Sequence, residues 1–400
     1  MSATAAGVGV AVGGRPARRE VLAVAGLALL ARAVAVALSD RVVADVLRYR
    51  KVATHVLDVS WNPYLAPHLY PYPPVWVWME AGAEWLARHA GVPFAMAVKA
   101  PVVLADVALA VLLVRWGHER GGRARWAGWL YAAHPVALLV TGFHGQFDPV
   151  ALLALAAALR WLDRGRLDRS ALALAAAIAV KSFPVLVLPF ALLFVPGGPT
   201  RRRYAVLATG PVAVLLAPYA ASDASALTRE LLGYGGVADF GWIGAHRSLR
   251  WAATGRLARG EAEHWAVLVT LSKPLFLAAA AALWVAVGRG WLRWSAAACA
   301  LAVLLAFQAL YGALSAQYLL WPVPLALALG ERLVPVHAVL AAVALVGFYV
   351  LLAPGVLTPA EAPLLAPALA RLLWTAGTAG LWLLTVAWLG DLVRRGRRTP

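Results

Sequence analysis

Twelve apolar stretches, separated by short clusters of arginine, account for most of this chain. They lie near 20–39, 92–115, 126–142, 149–163, 169–181, 183–196, 203–220, 264–288, 294–312, 316–330, 335–353 and 369–390. A helix needs roughly 20 apolar residues to cross a bilayer, and fewer if it is broken inside the protein. The pattern predicts an all-α, polytopic membrane protein with about 12 membrane segments. One of them is irregular: "KSFP" interrupts 169–196, and Pro184 disfavours helix at Ser182 and Phe183. Two short half-helices that enter the membrane and return are expected there.

The long polar interval 40–91 is patterned as well. In "DVLRYRKVATHVLD" (45–58), Val46, Tyr49, Val52 and Val56 recur at helical spacing among Arg48, Arg50 and Lys51. That predicts an amphipathic helix lying at the membrane interface. "YPYPPVWVWMEAGAEWLARHA" (70–90) gives a second, opened by a proline-rich turn and rich in tryptophan. With Glu80 and Glu84 inside it, it suits the interface better than a crossing. The whole chain, 1–400, reads as a single integral-membrane domain. Its core module spans 20–220 and includes the loop 40–91, a second loop covers 221–263, and C-terminal helices occupy 264–390.

Composition removes the soluble alternatives. Hydrophobic residues make up 62% of the chain and charged ones 14%, against about 45–50% and about 25% in a soluble domain. The net charge of +17 does not point to nucleic acid, because the basic residues sit in short clusters between apolar runs. Those clusters are "RPARR" (15–19), "RWGHERGGRAR" (115–125), "DRGRLDR" (163–169), "RRR" (201–203), "RGWLR" (289–293), "ER" (331–332) and "RRGRR" (394–398). All can face the cytoplasm if the segments alternate and both termini are inside. The loops 40–91 and 221–263, the turn "FHGQFD" and Lys181 then face the other side. "RPARRE" reads as the flank of a retained first span rather than of a cleaved signal. The Ala, Val, Leu, Arg and Gly bias suggests a GC-rich bacterium, and hence its plasma membrane. The single cysteine, Cys299, permits no internal disulfide and no cysteine metal site.

Polar residues that a membrane bundle does not need are the candidates for chemistry. Asp45 follows the first span, where a carboxylate can serve as a general base or simply as a cap or solvated acid. Asp40 shares that reading, and Asp58 falls at the far end of the helix. In "TGFHGQFDP" (141–149), Asp148 before Pro149 fits a helix N-cap. His144 and Gln146 are less easily explained by a turn. Lys181, at the break between half-helices, suits a phosphate, or else snorkels to the headgroups. Lys99 and Asp106 share a face of one helix and read as polar glue within the bundle. His246 and Arg247 in "GAHRSLRW" could close over an anionic ligand or touch lipid phosphates. Gln317 and Tyr318 open a span, where an aromatic belt is expected. No nucleotide-binding glycine motif and no HExxH occurs.

The ordered set "DVLRYRKVA", "YPYPPVW", "KAPVVLADVALA", "YAAHPVALLVTGFHGQFDPVALLALAAAL", "AVKSFPVLVLPFALL" and "SAQYLLWPVPL" resembles the GT-C type polyprenyl-phosphate-sugar-dependent glycosyltransferases. The similarity is greatest to the bacterial group that includes the mannosyltransferases of phosphatidylinositol mannoside assembly. It covers roughly 20–330. It implies a multi-pass enzyme with an extracytoplasmic active site and interfacial helices in its first outer loop. The implied reaction is inverting transfer of a hexose, with mannose favoured, from a polyprenyl-phosphate donor to a lipid-linked or glycan acceptor. Asp45 would be the catalytic base. The donor-binding set would be Tyr49, His144, Gln146, Asp148, Lys181, His246, Arg247, Gln317 and Tyr318. No cofactor is implied, and with no clear acidic pair beside Asp45 a divalent metal is not favoured. A flippase or other transporter of lipid-linked sugars is the alternative, and a non-catalytic scaffold is a third reading.

Overall fold

The computed structural model describes residues 14–39, 43–233, 235–254, 262–353, 355–357 and 364–398. Asp40 lies outside them. The described residues are helical throughout; no strand occurs among them, and the one isolated extended pairing joins Phe240 to Leu314.

α1 (Arg18–Leu38) buries Val24, Ala28, Arg32 and Ala35, a stripe repeating every three to four residues. Its other faces expose Leu22, Leu30 and Leu38, as a lipid-facing helix should. The two amphipathic segments form as expected, as α2 (Ala44–Asp58) and α3 (Val75–Ala90). α2 buries Val46, Tyr49 and Val52, leaves Arg48, Arg50 and Lys51 exposed, and packs on α3. At 16 residues α3 is short for a bilayer crossing. It rests on α4 (Phe94–Arg120), the helix at the middle of the first half, which touches α1, α5 (Ala127–Ala132) and α7 (Asp148–Asp163). Between α5 and α7 the chain makes a single turn, α6 (Pro135–Ala137), and then a π-helical stretch over Leu138–His144.

α7 and α8 (Leu167–Val180) form a hairpin. The interruption anticipated within 169–196 falls on Lys181, whose backbone is extended. A 3-10 turn over Phe183–Val187 then leads into α9 (Leu188–Leu193). α10 (Pro199–Leu232) is two helices meeting at Asp223, whose backbone is extended and whose carboxylate accepts from the Ala226 N–H at 2.9 Å. Beyond it come α11 (Gly241–Thr254), α12 (Ala262–Gly288) and α13 (Ala296–Leu310), the last buried on almost every side. A 3-10 turn over Ala316–Leu320 runs into α14 (Val323–Ala328), and α15 (Val334–Leu352) and α16 (Pro367–Arg398) close the fold as a packed pair.

Among the described residues six helices are long and apolar enough to cross a membrane: Arg18–Leu38, Phe94–Arg120, Pro199–Leu232, Trp265–Gly288, Val334–Leu352 and Pro367–Arg397. The remaining apolar stretches fold as shorter or broken helices. Such breaks are tolerated at membrane depth only where the freed backbone groups can find partners inside the protein.

One such break builds a core the apolar pattern conceals. Pro135 has no N–H to continue the ladder, so the Tyr131 carbonyl takes only the tighter bond from the His134 N–H at 3.1 Å and keeps a lone pair to offer. Arg32, fully buried in α1, donates to the carbonyls of Tyr131 (3.2 Å) and Ala132, and its Nε lies 2.6 Å from Asp106 Oδ2. The Tyr131 hydroxyl donates to the other oxygen of Asp106. Asp106 is thus internal polar glue, as its helical position suggested.

Candidate active site

The π-helical stretch is the device that presents the site. A π turn inserts an extra residue into the helical ladder, and such turns concentrate at functional positions. Here it ends at Gly145, with φ at 82°, while the Gln146 N–H reaches back to the Val140 carbonyl at 3.1 Å. Gly145 is required twice over. A side chain there would be strained by the positive φ, and its Cβ would lie 2.7 Å from Lys99 Cε. Lys99 in turn fastens the turn to α1. Its ammonium donates to Ser39 Oγ (2.9 Å) and to the carbonyls of Gly142 (3.2 Å) and Phe143 (2.9 Å). Those carbonyls are free because the ladder is interrupted, so Lys99 is structural, as read from the sequence.

The result is a tight group around Asp45. His144 Nε2 donates to Asp45 Oδ2 at 2.8 Å, and the Gln146 amide donates to the same oxygen. Tyr49, one turn along α2 from Asp45, donates its hydroxyl to Gln146 Oε1 at 3.1 Å. His144 Nδ1 meets the hydroxyl of Tyr349, from α15, at 3.0 Å. The ring is thus held at both nitrogens, Nε2 by Asp45 and Nδ1 by the Tyr349 hydroxyl. Burial pushes the Asp45 carboxyl up, but the bond and charge of His144, helped by Arg48 and Lys181, hold it below its ordinary value. Asp45 is therefore an ionised acceptor. Oδ2 takes both bonds, and Oδ1 has no partner among the described residues.

A cavity of about 200 Å³ opens beside this group. Asp45, Arg48, Tyr49, His144, Asp239 and Gln317 contribute to its wall. That is below the roughly 300 Å³ of common ligand pockets, a space for one sugar unit rather than a whole lipid-linked molecule. Two acids that sequence reasoning did not assign to the site also border it. Glu80, on α3, is fully buried with no hydrogen bond to either oxygen. Burial raises its carboxyl well above the usual value, and the nearby Trp76 indole offsets this only in part without reaching hydrogen-bond geometry. Asp239 is pushed up to about 6 by burial, with Arg247 opposing and Asp45 adding to the rise. Even so, no three His, Cys, Asp or Glu side chains among the described residues group as a metal site.

Asp148 and Lys181 form the neighbouring unit. Asp148 opens α7 ahead of Pro149, but its side chain does not cap the helix. Its Oδ2 pairs with Lys181 Nζ at 2.7 Å, and its Oδ1 accepts from the Trp321 indole at 2.5 Å. The expected cap is thus replaced by a tertiary ion pair, because a lysine that is 3% exposed requires a counter-charge. The same pairing rules out snorkelling. The rings of Phe147 (4.7 Å), Tyr72 (5.3 Å) and Tyr318 (5.9 Å) surround the ammonium. Tyr318 therefore lines the lysine's enclosure instead of joining an interfacial belt, whereas Gln317 lines the cavity. His246 and Arg247 are not brought to Asp45. His246 is exposed beside the Trp265 ring, and Arg247 donates to the Ala238 carbonyl and lies 3.5 Å from Asp239. Asp58 pairs with Arg88 at 2.6 Å, away from the cavity.

Residues 49–197 match the family model described as MptA_B family, alpha-(1->6)-mannopyranosyltransferase, N-terminal domain. The family so described belongs to the GT-C mannosyltransferase group. No curated protein matches the chain. The matched segment covers less than half of the 400 residues, but it carries Tyr49, His144, Gln146, Asp148 and Lys181. Asp45 stands just ahead of it. Asp239, Gln317 and Tyr349 come from beyond it, so the cavity and its surroundings are completed by residues outside the matched segment.

Proposed function

We propose that the chain is an inverting mannosyltransferase. It takes mannose from a polyprenyl-phosphate donor and places it on a hydroxyl of a lipid-linked or glycan acceptor at the extracytoplasmic membrane face. The observation that carries this reading is Asp45: an ionised carboxylate on a cavity wall, one oxygen held by His144 and Gln146 and the other free. The acceptor hydroxyl gives its proton to Oδ1 as its oxygen attacks the anomeric carbon from the face opposite the phosphate. The bond between that carbon and the phosphate oxygen breaks, and the electron pair leaves with polyprenyl phosphate. His144 and Gln146 keep Asp45 aimed, and Tyr49 and Tyr349 keep those two aimed in turn. Arg48, on the same wall, supplies positive charge toward the departing phosphate. Lys181 is already neutralised by Asp148 and contributes by fixing the Phe147 end of the turn.

The test is purified protein in bilayer discs, given labelled mannose either as the polyprenyl-phosphate ester or as a nucleoside-diphosphate ester, with lipid acceptors. Label is expected to move only from the polyprenyl ester, with inverted anomeric configuration by NMR. Use of the nucleotide donor, or retention at the anomeric carbon, contradicts the proposal. Movement of intact lipid-linked sugar across the bilayer without transfer points to a transporter instead.

A further inference from the structure

A second cavity, of about 620 Å³, lies among the ends of α1, α4 and α7 and shares no residue with the Asp45 cavity. Arg15, Arg18, Arg115, Arg160 and Arg164 line it, with Glu119 as its one acid. Arg160 and Arg164 both donate to Glu119, so that carboxylate is already shared. Arg15, Arg18 and Arg115 have no carboxylate partner among the described residues. Some arginines of the other clusters are paired with acids: Arg120 with Asp163, Arg203 with Asp168, and Arg395 with Asp391 and Glu331. This cavity keeps four positive charges in excess.

The backbone adds to the same field. α1 begins here at Arg18 with no side-chain cap from Ala17; the Glu20 and Val21 N–H groups bond the Ala17 carbonyl, which leaves those of Arg18 and Arg19 at the positive end of the helix beside this cavity. The acid of its first turn, Glu20, is engaged by His118 (3.1 Å) and Trp129 (3.3 Å). Apolar surface continues directly from the basic mouth. Val21 lines the cavity, and α1 then exposes Leu22, Leu29 and Leu30.

We propose that this cavity binds the phosphate headgroup of a multiply charged anionic phospholipid, with an acyl chain along the exposed leucines of α1. A free phosphate would meet the same arginines but would gain nothing from that apolar strip. The arginines supply charge-assisted hydrogen bonds to phosphate oxygens, and the strip supplies hydrophobic burial.

Native mass spectrometry and thermal shift in detergent, with added cardiolipin, phosphatidylcholine or pyrophosphate, test this on the full chain. Cardiolipin is expected to be retained and to stabilise, and phosphatidylcholine is not. Replacing Arg15, Arg18 and Arg115 together by Gln is expected to weaken cardiolipin binding on the order of 100-fold, about fivefold per charge. Glu119→Gln removes the only negative group and is expected to tighten binding about fivefold. That arm decides the matter alone if the triple variant fails to fold. Unchanged binding in the triple variant, or no tightening in Glu119→Gln, overturns the proposal. So does equal weakening by Arg202→Gln, which lies outside the cavity. Pyrophosphate stabilising as strongly as cardiolipin overturns the lipid assignment in favour of a free-phosphate site.

Discussion

Replacing Asp148 by leucine strips the counter-charge from Lys181 while leaving the lysine enclosed. The pair is 2.7 Å apart, and the two side chains are 0% and 4% exposed, so water cannot take over the role of the lost carboxylate. Removing one member of a buried pair costs about 3–5 kcal/mol. The Trp321 indole also loses its acceptor, a further cost of about 1–3 kcal/mol. A destabilisation of at least about 4 kcal/mol is therefore expected for Asp148→Leu, read as apparent unfolding free energy in a mixed-detergent titration. Adding Lys181→Met removes the uncompensated charge and is expected to restore half of that loss or more, since apolar replacements of similar volume often match a buried pair. A single variant costing under about 1 kcal/mol would refute the assignment. So would a double variant no better than the sum of the singles. The double variant also separates structure from chemistry. Retained transfer leaves Lys181 a structural cation, whereas a folded but inactive protein returns it to the donor phosphate.

Three more expectations follow from the site. Tyr349→Phe removes the hydroxyl that holds His144 at Nδ1, and should lower kcat about tenfold with little change in KM, measured by initial rates across pH. Gly145→Ala forces a side chain into positive φ and onto Lys99, and should cost about 1–3 kcal/mol of stability together with most of the activity. Asp239 is raised in the folded state to about 6 from 3.8, so the folded protein binds the extra proton between these values and loses stability as pH rises through them. Asp239→Asn should accordingly be the more stable protein above pH 6, by about 3 kcal/mol, with the gap closing toward pH 4 in parallel denaturation curves.

Local features were legible in the sequence where local physics decides them. The amphipathic faces of α2 and α3, the break beside "KSFP" and the polar turn before α7 all appear where periodicity and proline place them. Asp148 shows the limit of that reasoning. Asp before Pro is a sound capping signal, yet the carboxylate is spent on a lysine 33 residues away. Tyr349 and Asp239 were invisible for the same reason, since each reaches the site only through packing of distant helices. Arg32 did carry a signal: an arginine in the middle of "LLARAVAVAL" is costly in lipid and implies a buried partner, here Asp106. The π-helical stretch had none, since its seven residues, "LLVTGFH", read as an ordinary apolar helix end.

The central claim is that Asp45 takes the acceptor proton, and Asp45→Asn tests it with the least disturbance. The asparagine carbonyl oxygen can still accept from His144 and Gln146, so the network and the fold should persist while the base is lost. With polyprenyl-phosphate-mannose and acceptor supplied in bilayer discs, transfer is expected to fall about 10²- to 10⁴-fold. Thermal stability and donor binding should stay near those of the parent protein. Transfer at the parent rate in a folded Asp45→Asn protein would contradict the assignment and place the base elsewhere in the cavity.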